Sequence, residues 1–388
     1  MHLKMINLKK FWSKGIKMKE IAKVLEEYDH SAITIGVLGG HSALDVCRGA
    51  KKQGFRTVAV CEKGRDKTYS QYYKSDGEKG IVDEVILVDK FSDITSKSVQ
   101  DQLRSLNTIF VHNRYFWVYC DFEKIEKDFK VPIYGSRSLV KLEERDVPKN
   151  QYYLLEKAGI RIPQIFKQAK DIDKLAIVKV NEAERGYERA FFFCNNLESY
   201  EAKSKELLDK KTITSEGLKK AVIEEYVLGA HVNFNYFYSP LTESLELMGT
   251  DTRRQTNLDG FLRLPADEQL LVLEKERPKL IETGHIAVTI KESLLEKAFE
   301  AGEKFISACK KEVGGLIGPF ALQGAVVAEK GKEEIVIFDV SLRIPGSPGT
   351  ASTPYSGYLY MDSMSYGERI AMEIQKALGE EKLDSICT

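Results

Sequence analysis

The sequence has no net charge: 58 lysines and arginines balance 58 aspartates and glutamates, so nothing global attracts the chain to nucleic acid or anionic lipid. Cysteine is scarce as well. The six thiols, Cys47, Cys61, Cys120, Cys194, Cys309 and Cys387, are scattered, form no CxxC pair and sit in no motif with closely spaced histidines. They read as reduced, mostly buried thiols of a cytoplasmic protein. No stretch reaches the roughly 18 uninterrupted apolar residues of a membrane span. The N-terminus MHLKMINLKKFWSKGIK lacks an apolar signal core and reads as a short basic extension. Internal repeats and low-complexity tracts are missing too. What remains is a 388-residue chain with 43% hydrophobic residues, enough for two or three domains that fold by burial alone.

After a helical segment, KEIAKVLEEYD (19–29), the stretch AITIGVL (32–38) is β-branched and strand-like, SALDVCRGAKKQG has helical spacing closed by Gly54, and FRTVAVCEK is the next strand. DEVILVD, SVQDQLRSLN, TIFVHN and VPIYG continue the alternation, so the spacing predicts an open, doubly wound, mostly parallel sheet over about 29–140. RSLVKLEERDVPKNQYYLLEKAGIRIP then reads as one long amphipathic segment, and a boundary falls near 145. Short strands follow in AIVKV, RAFFFC, AVIEEYVL, HVNFNYFYS and LELMGTDTRRQ, then a helix over about 291–312 and a strand pair, FALQGAVVAE and EEIVIFDVSLRI, around a polar turn. The fold class is therefore α/β followed by α+β: an extension over 1–28, an open α/β domain over 29–145, and a two-lobed α+β domain over 146–388.

Three stretches carry candidate chemistry. In TIGVLGGHSALDV the glycines stand as Gly36, Gly39 and Gly40, which is not the GxGxxG of a dinucleotide fingerprint, although Glu62 sits near the place of its ribose acid. The turn still offers backbone N–H groups and a helix start, with Ser42 as a cap, and these suit a phosphate or carboxylate. His41 lies at the ligand-binding edge of such a sheet; its bland alternative is a structural histidine. In AIVKVNEAERGYERAFFF, Lys179 suits a nucleotide clamp in which ammonium meets phosphate, or is an ordinary strand lysine. In VIEEYVLG, Ile223, Tyr226 and Val227 could flank an adenine and either Glu224 or Glu225 hold ribose hydroxyls, or the run is a strand with solvated glutamates. In the last strand pair, Gln323 and Asp339 offer two oxygens for Mg²⁺, and Arg343 a guanidinium that neutralises charge on a transferring phosphoryl group. The plain alternative is a surface ion pair between Asp339 and Arg343.

The order of these parts resembles the ATP-grasp superfamily. Within it, TIGVLGGHSAL, RGAKKQGF, KGRDKTY, KFSDI, KAGIRIP, IEEYVLG, NYFYSPL, NLDGFLRLPA, IKESLLEKAFEAGEKF, LIGPFALQ and SYGERIAMEI are similar to one family, the archaeal formate-dependent ligases of purine biosynthesis. That resemblance implies an ATP-dependent carbon–nitrogen ligase. It would join formate to 5-aminoimidazole-4-carboxamide ribonucleotide through an acyl phosphate and give the 5-formamino product. It implies that His41 meets the ribotide, that Lys179, Glu225, Tyr226 and Val227 meet ATP and that Gln323 and Asp339 hold Mg²⁺ or Mn²⁺; Arg114 and His285 fall at its ribotide positions, while Glu224 beside the ATP segment and Arg343 as the catalytic guanidinium are read from the residues themselves. Small-molecule substrates are the expected partners, with no nucleic acid and no membrane, in a cytoplasmic homo-oligomer.

Several ligand positions depart from the family pattern. Asp339 stands where glutamate is typical, and NEAERGYERAFF, with Glu182, Glu184 and Glu188, replaces a glycine-rich loop. His112, Asn113 and Arg114 replace small residues, His285 replaces an asparagine, and PGSPGTASTPYSG replaces a GGTN-like segment. The alternative functions are a paralogue with a different carboxylate or ribotide acceptor, and a non-catalytic ribotide- or nucleotide-binding protein.

Overall fold

The computed structural model describes residues 18–145, 147–180, 191–276, 278–329 and 331–388. The basic extension up to residue 17 and the acidic loop with Glu182, Glu184 and Glu188 lie outside the described residues. No described helix is long and apolar enough to cross a membrane.

The first sheet holds β1 (Thr34–Leu38), β2 (Arg56–Glu62), β3 (Glu84–Val88), β4 (Thr108–Val111) and β5 (Ile133–Tyr134), all parallel, in the order β3-β2-β1-β4-β5. β1 is central and buried at every position, which is why its sequence runs apolar rather than alternating. The stretch expected to be one long amphipathic segment is broken. A 3₁₀ turn at Val140–Glu143 precedes a short helix, Gln151–Lys157, whose N-terminus Asn150 caps by accepting from the Tyr153 amide. Pro148, which has no N–H to give, and the Asn150 cap start a new helix there instead of continuing an old one.

β6 (Ile165–Phe166), β7 (Ala176–Lys179), β8 (Phe191–Cys194) and β9 (Val222–Glu225) make a four-stranded antiparallel sheet in the order β6-β9-β7-β8. The third sheet, β12-β11-β10-β13-β14, is also antiparallel and joins β10 (Ala230–Ser239), β11 (Ser244–Asn257), β12 (Leu280–Val288), β13 (Gly318–Glu329) and β14 (Lys332–Ser341). Alternation gives this sheet two faces. Val232, Phe234 and Tyr236 on β10 and Phe320 and Leu322 on β13 pack with Phe305 and Ala298 of the helix Glu292–Val313. Polar residues are interleaved with them. Asp251, Asn233, Gln323 and Asp339 are successive register partners across β11, β10, β13 and β14, so they form one polar row on the opposite face.

The first sheet ends at Tyr134 and the second begins at Ile165, yet burial crosses that interval. Ile370, Ile374 and Ala377 of the helix Tyr366–Gly379, with Ile386 and Cys387, share one core with Ile35, Val37, Val46 and Cys47 of the first domain. The chain thus returns from the third sheet to complete the core of the first.

Candidate active site

The glycine turn and the polar row face each other. After β1, Gly39 N donates to Val60 O at 2.8 Å, and Gly40 at φ +147° lies against the Tyr115 ring, where a Cβ would fall 2.2 Å from the ring edge. Only glycine fits that place. Asn113 holds the turn by donating to Leu38 O at 2.9 Å and Gly40 O at 3.0 Å. His41 follows in the left-handed region at φ +48°. Ser42, expected as a cap, makes no capping bond to the helix Ala43–Lys52; its hydroxyl donates to Pro345 O at 2.7 Å and ties the turn to the segment after β14.

Between turn and row lies a small, partly open cavity whose lining includes His41, Arg114, His285, Gln323 and Arg343. Five of the residues singled out in the sequence therefore meet in one place. Asp251, Arg253, Asn233, Asn235 and Glu282 complete much of the wall and were not singled out. A signal for four of them existed: Asn233 with Asn235, and Asp251 with Arg253, are polar pairs two apart inside strands, which places each pair on one face.

The two imidazoles are opposites. Burial, reinforced by the charges of Arg343 and Arg114, pushes His41 down to about 3, so it is neutral. For His285 burial also pulls downward, but hydrogen bonds to Asp251 (2.5 Å) and Glu282 (2.9 Å) outweigh it and hold the imidazolium at about 9. Gly346 passes between the rings: a Cβ there would lie 2.7 Å from His41 Nε2 and 3.5 Å from His285 Nε2. Arg343 is buried, with Nη2 3.5 Å from Glu143 and Nη1 donating to Ile344 O at 3.2 Å. His112, by contrast, is a core residue whose Nδ1 accepts from Trp117 at 2.7 Å.

The nucleotide candidates lie where the second sheet meets β14. Lys179 donates to Phe338 O at 3.1 Å and pairs with Glu224 at 2.5 Å, and Tyr152 also donates to Glu224 at 2.7 Å. Burial pulls the Lys179 ammonium below its ordinary value, with Glu224 opposing. Of the two glutamates left open, Glu224 is therefore buried against Lys179, while Glu225 is half-buried, accepting from Gln164 N at 3.3 Å. Backbone amides of Glu225 and Tyr226 are taken by Gln164 O (2.8 Å) and Leu175 O (2.9 Å). The Tyr226 ring meets Phe193 edge-on at 5.0 Å, and His231 meets Phe338 at 5.4 Å, which with buried Val227 makes an apolar lining suited to a flat base.

Gln323 and Asp339 stand opposite one another, and an amide oxygen beside a carboxylate is chemistry that fits a hard divalent cation completed by phosphate and water. Both oxygens have partners here. Gln323 Oε1 accepts from Arg253, and Asp339 lies 3.8 Å from Arg145, so a cation would compete with two guanidinium groups. Among the described residues no group of three His, Cys, Asp or Glu could hold a metal by itself.

A parallel α/β domain followed by a four-stranded and a five-stranded antiparallel sheet, with Lys179 of β7 bonded to β14, is the architecture of an ATP-grasp ligase. Comparison narrows it. Residues 35–166 match a family described as "Protein of unknown function (DUF1246)", and residues 199–388 one described as "Domain of unknown function (DUF1297)". The chain is 39% identical to the 5-formaminoimidazole-4-carboxamide-1-(β)-D-ribofuranosyl 5′-monophosphate synthetase of Methanosphaera stadtmanae, over 96% of this chain and 99% of that protein. It is 38% identical to the synthetase of the same name from Methanothermobacter thermautotrophicus, over 96% and 99%. The chain belongs to this family of synthetases. Among solved structures it is similar to the IMP biosynthesis protein PurP from Thermococcus kodakaraensis, with TM-score 0.67, 25% identity, and 91% and 100% of the two chains covered. The ADP complex of an N5-carboxyaminoimidazole ribonucleotide synthetase shares the fold at TM-score 0.57 and 13% identity, over 83% of this chain and 73% of that one.

Proposed function

We propose that this protein joins formate to the amine of 5-aminoimidazole-4-carboxamide ribonucleotide at the expense of ATP, giving 5-formaminoimidazole-4-carboxamide ribonucleotide, a step toward IMP. The observation that carries the reading is the single cavity in which His41, Arg114, Gln323 and Arg343 converge, in a chain related over nearly its whole length to synthetases of that name.

In the first step a formate oxygen attacks the γ-phosphorus of ATP, the bond to the β,γ-bridging oxygen breaks, and ADP leaves with that electron pair. Lys179 would exchange its pairing with Glu224 for phosphate oxygens, and Arg343 would stabilise charge spreading over the transferring group. Gln323 and Asp339 would hold Mg²⁺ or Mn²⁺, whose chemistry is to neutralise phosphate charge. In the second step the ribotide amine attacks the formyl carbon, inorganic phosphate departs, and the amine proton is lost to that phosphate. His41, kept neutral, offers a hydrogen bond that orients the acceptor and is too weak a base to take the proton. Held side by side, acid and amine react as one bound pair.

The test is phosphate release from ATP by the purified protein. Release that requires formate and ribotide together is expected; release without the ribotide, or none, overturns the reading. The arginine at Arg114 favours a second reading, a larger or more anionic acid, which the same assay decides when formate is replaced by longer carboxylates. We expect a symmetric homo-oligomer, measurable by light scattering.

A further inference from the structure

Glu282, on the edge strand β12, turns its carboxylate into the cavity, where one oxygen lies 2.9 Å from His285 Nε2 and the other 3.0 Å from Arg253 Nε. The His285 contact is a hydrogen bond, whereas the Arg253 contact is an ion pair out of hydrogen-bond alignment, which leaves the buried Arg253 Nε–H unsatisfied and open to a better-placed carboxylate oxygen. The donors are fixed from behind. His285 is held by Asp251, whose oxygens accept from Asn235 (2.6 Å) and Asn233 (2.8 Å), while Arg253 also donates to Gln323. The carboxylate stands on an edge strand. Among the described residues β12 is paired on one side only, its residues are half-buried or exposed, and a Cβ on Gly284, between Glu282 and His285, would meet open space. Donors on two neighbouring strands thus face an acceptor on the sheet's edge.

We propose that His285 Nε2 and Arg253 Nε form the subsite of the small carboxylate co-substrate, and that Glu282 fills it as a built-in competitor that withdraws when the acid binds. The inference rests on the ligase reading above. Charge supports it: Arg114, Arg253, Arg343 and the cationic His285 outnumber the two carboxylates Asp251 and Glu282 on the wall, so exchange of Glu282 for an external monocarboxylate keeps the cavity's balance. Position supports it too. The Cβ-less Gly346 lies against both His285 and His41, so an acid gripped by His285 lies next to the group that His41 orients. The histidine is thereby a specificity-determining residue: an asparagine at this position offers a neutral amide where the imidazolium offers charge.

The deciding experiment is steady-state kinetics of the full chain with formate varied at saturating ATP and ribotide. Glu282→Gln, which keeps the size and removes the competing charge, is expected to lower the formate KM about tenfold, the worth of one charge-assisted hydrogen bond, and to leave the ribotide KM unchanged. His285→Asn is expected to raise the formate KM about tenfold. An unchanged formate KM in Glu282→Gln overturns the subsite, and so does a fall confined to the ribotide KM, which assigns the donors to the ribotide phosphate. Thermal shift with sodium formate against sodium chloride at equal ionic strength covers a variant that folds poorly: formate protection of the wild type that His285→Asn abolishes supports the subsite, and equal shifts overturn it. Wild type without formate-dependent turnover overturns the ligase reading instead, and the thermal shift then still decides the subsite.

Discussion

Gly49 and Gly367 meet where the helix Ala43–Lys52 crosses the helix Tyr366–Gly379: a Cβ on Gly49 would lie 2.0 Å from the Gly367 carbonyl carbon, and one on Gly367 would lie 2.0 Å from Asp45 O. Asp45 secures the crossing by accepting from Gly367 N at 2.9 Å. Because both obstacles are backbone, neither can rotate away. Gly49→Ala is expected to lower the unfolding free energy by about 3 kcal/mol. Urea denaturation measures it, and a loss below about 1 kcal/mol would mean that the helices slide apart at little cost.

Glu224 is buried and Lys179, at 13% side-chain exposure, is largely covered against it, so removing one charge strands the other. Lys179→Met is expected to destabilise the protein by about 3–5 kcal/mol, and Lys179→Met with Glu224→Gln to recover much of that loss. Turnover should not recover: kcat/KM for ATP is expected to stay about 100-fold down in both variants. A double variant that regains activity along with stability would remove Lys179 from the phosphate site.

The His285 imidazole sits at about 9 when folded, above its ordinary 6.5. A group raised by folding contributes stability that is complete below the unfolded value and fades as pH climbs through the folded one. The melting-temperature gap between wild type and His285→Asn should therefore be widest at about pH 6 and close by about pH 10. A gap that widens with rising pH would show that the imidazole is held neutral.

Gly346→Ala pushes a methyl toward both imidazoles, first toward His41 Nε2 at 2.7 Å. The ribotide KM is expected to rise about tenfold or more while the ATP KM moves less than about twofold. Equal change in both constants would point to a general loss of folding instead.

What could be read from the residues follows from how local the signal is. β1, buried at every position, and the helix Ala43–Lys52 announce themselves by apolar runs and spacing. β12 does not: its positions are half-buried or exposed, and LIETGHIAV has no clean alternation. The site divides in the same way. His41 and Gln323 sit in strand and turn contexts that carry their own meaning, whereas the grip on His285 comes from Asp251, 34 positions away in sequence, which only the antiparallel pairing of β11 with β12 brings near. Glu143 and Arg145 lie in a charged run without periodicity, and nothing local tells that they hold Arg343 and Asp339. The choice between Glu224 and Glu225 likewise needed the third dimension, since consecutive strand residues face opposite ways but the sequence does not say which faces the lysine.

The return of the helix Tyr366–Gly379 to the first sheet sets an order on biosynthesis. A ribosome delivers roughly 5–20 residues per second, so Val46 and Ala50 on the flank of the helix Ala43–Lys52 stay uncovered for tens of seconds until Ile370 and Ile374 have been made. During that interval the nascent first domain shows an apolar surface to the cell, and chaperone capture and proteolysis will act on chains that stop before that helix far more than on finished ones.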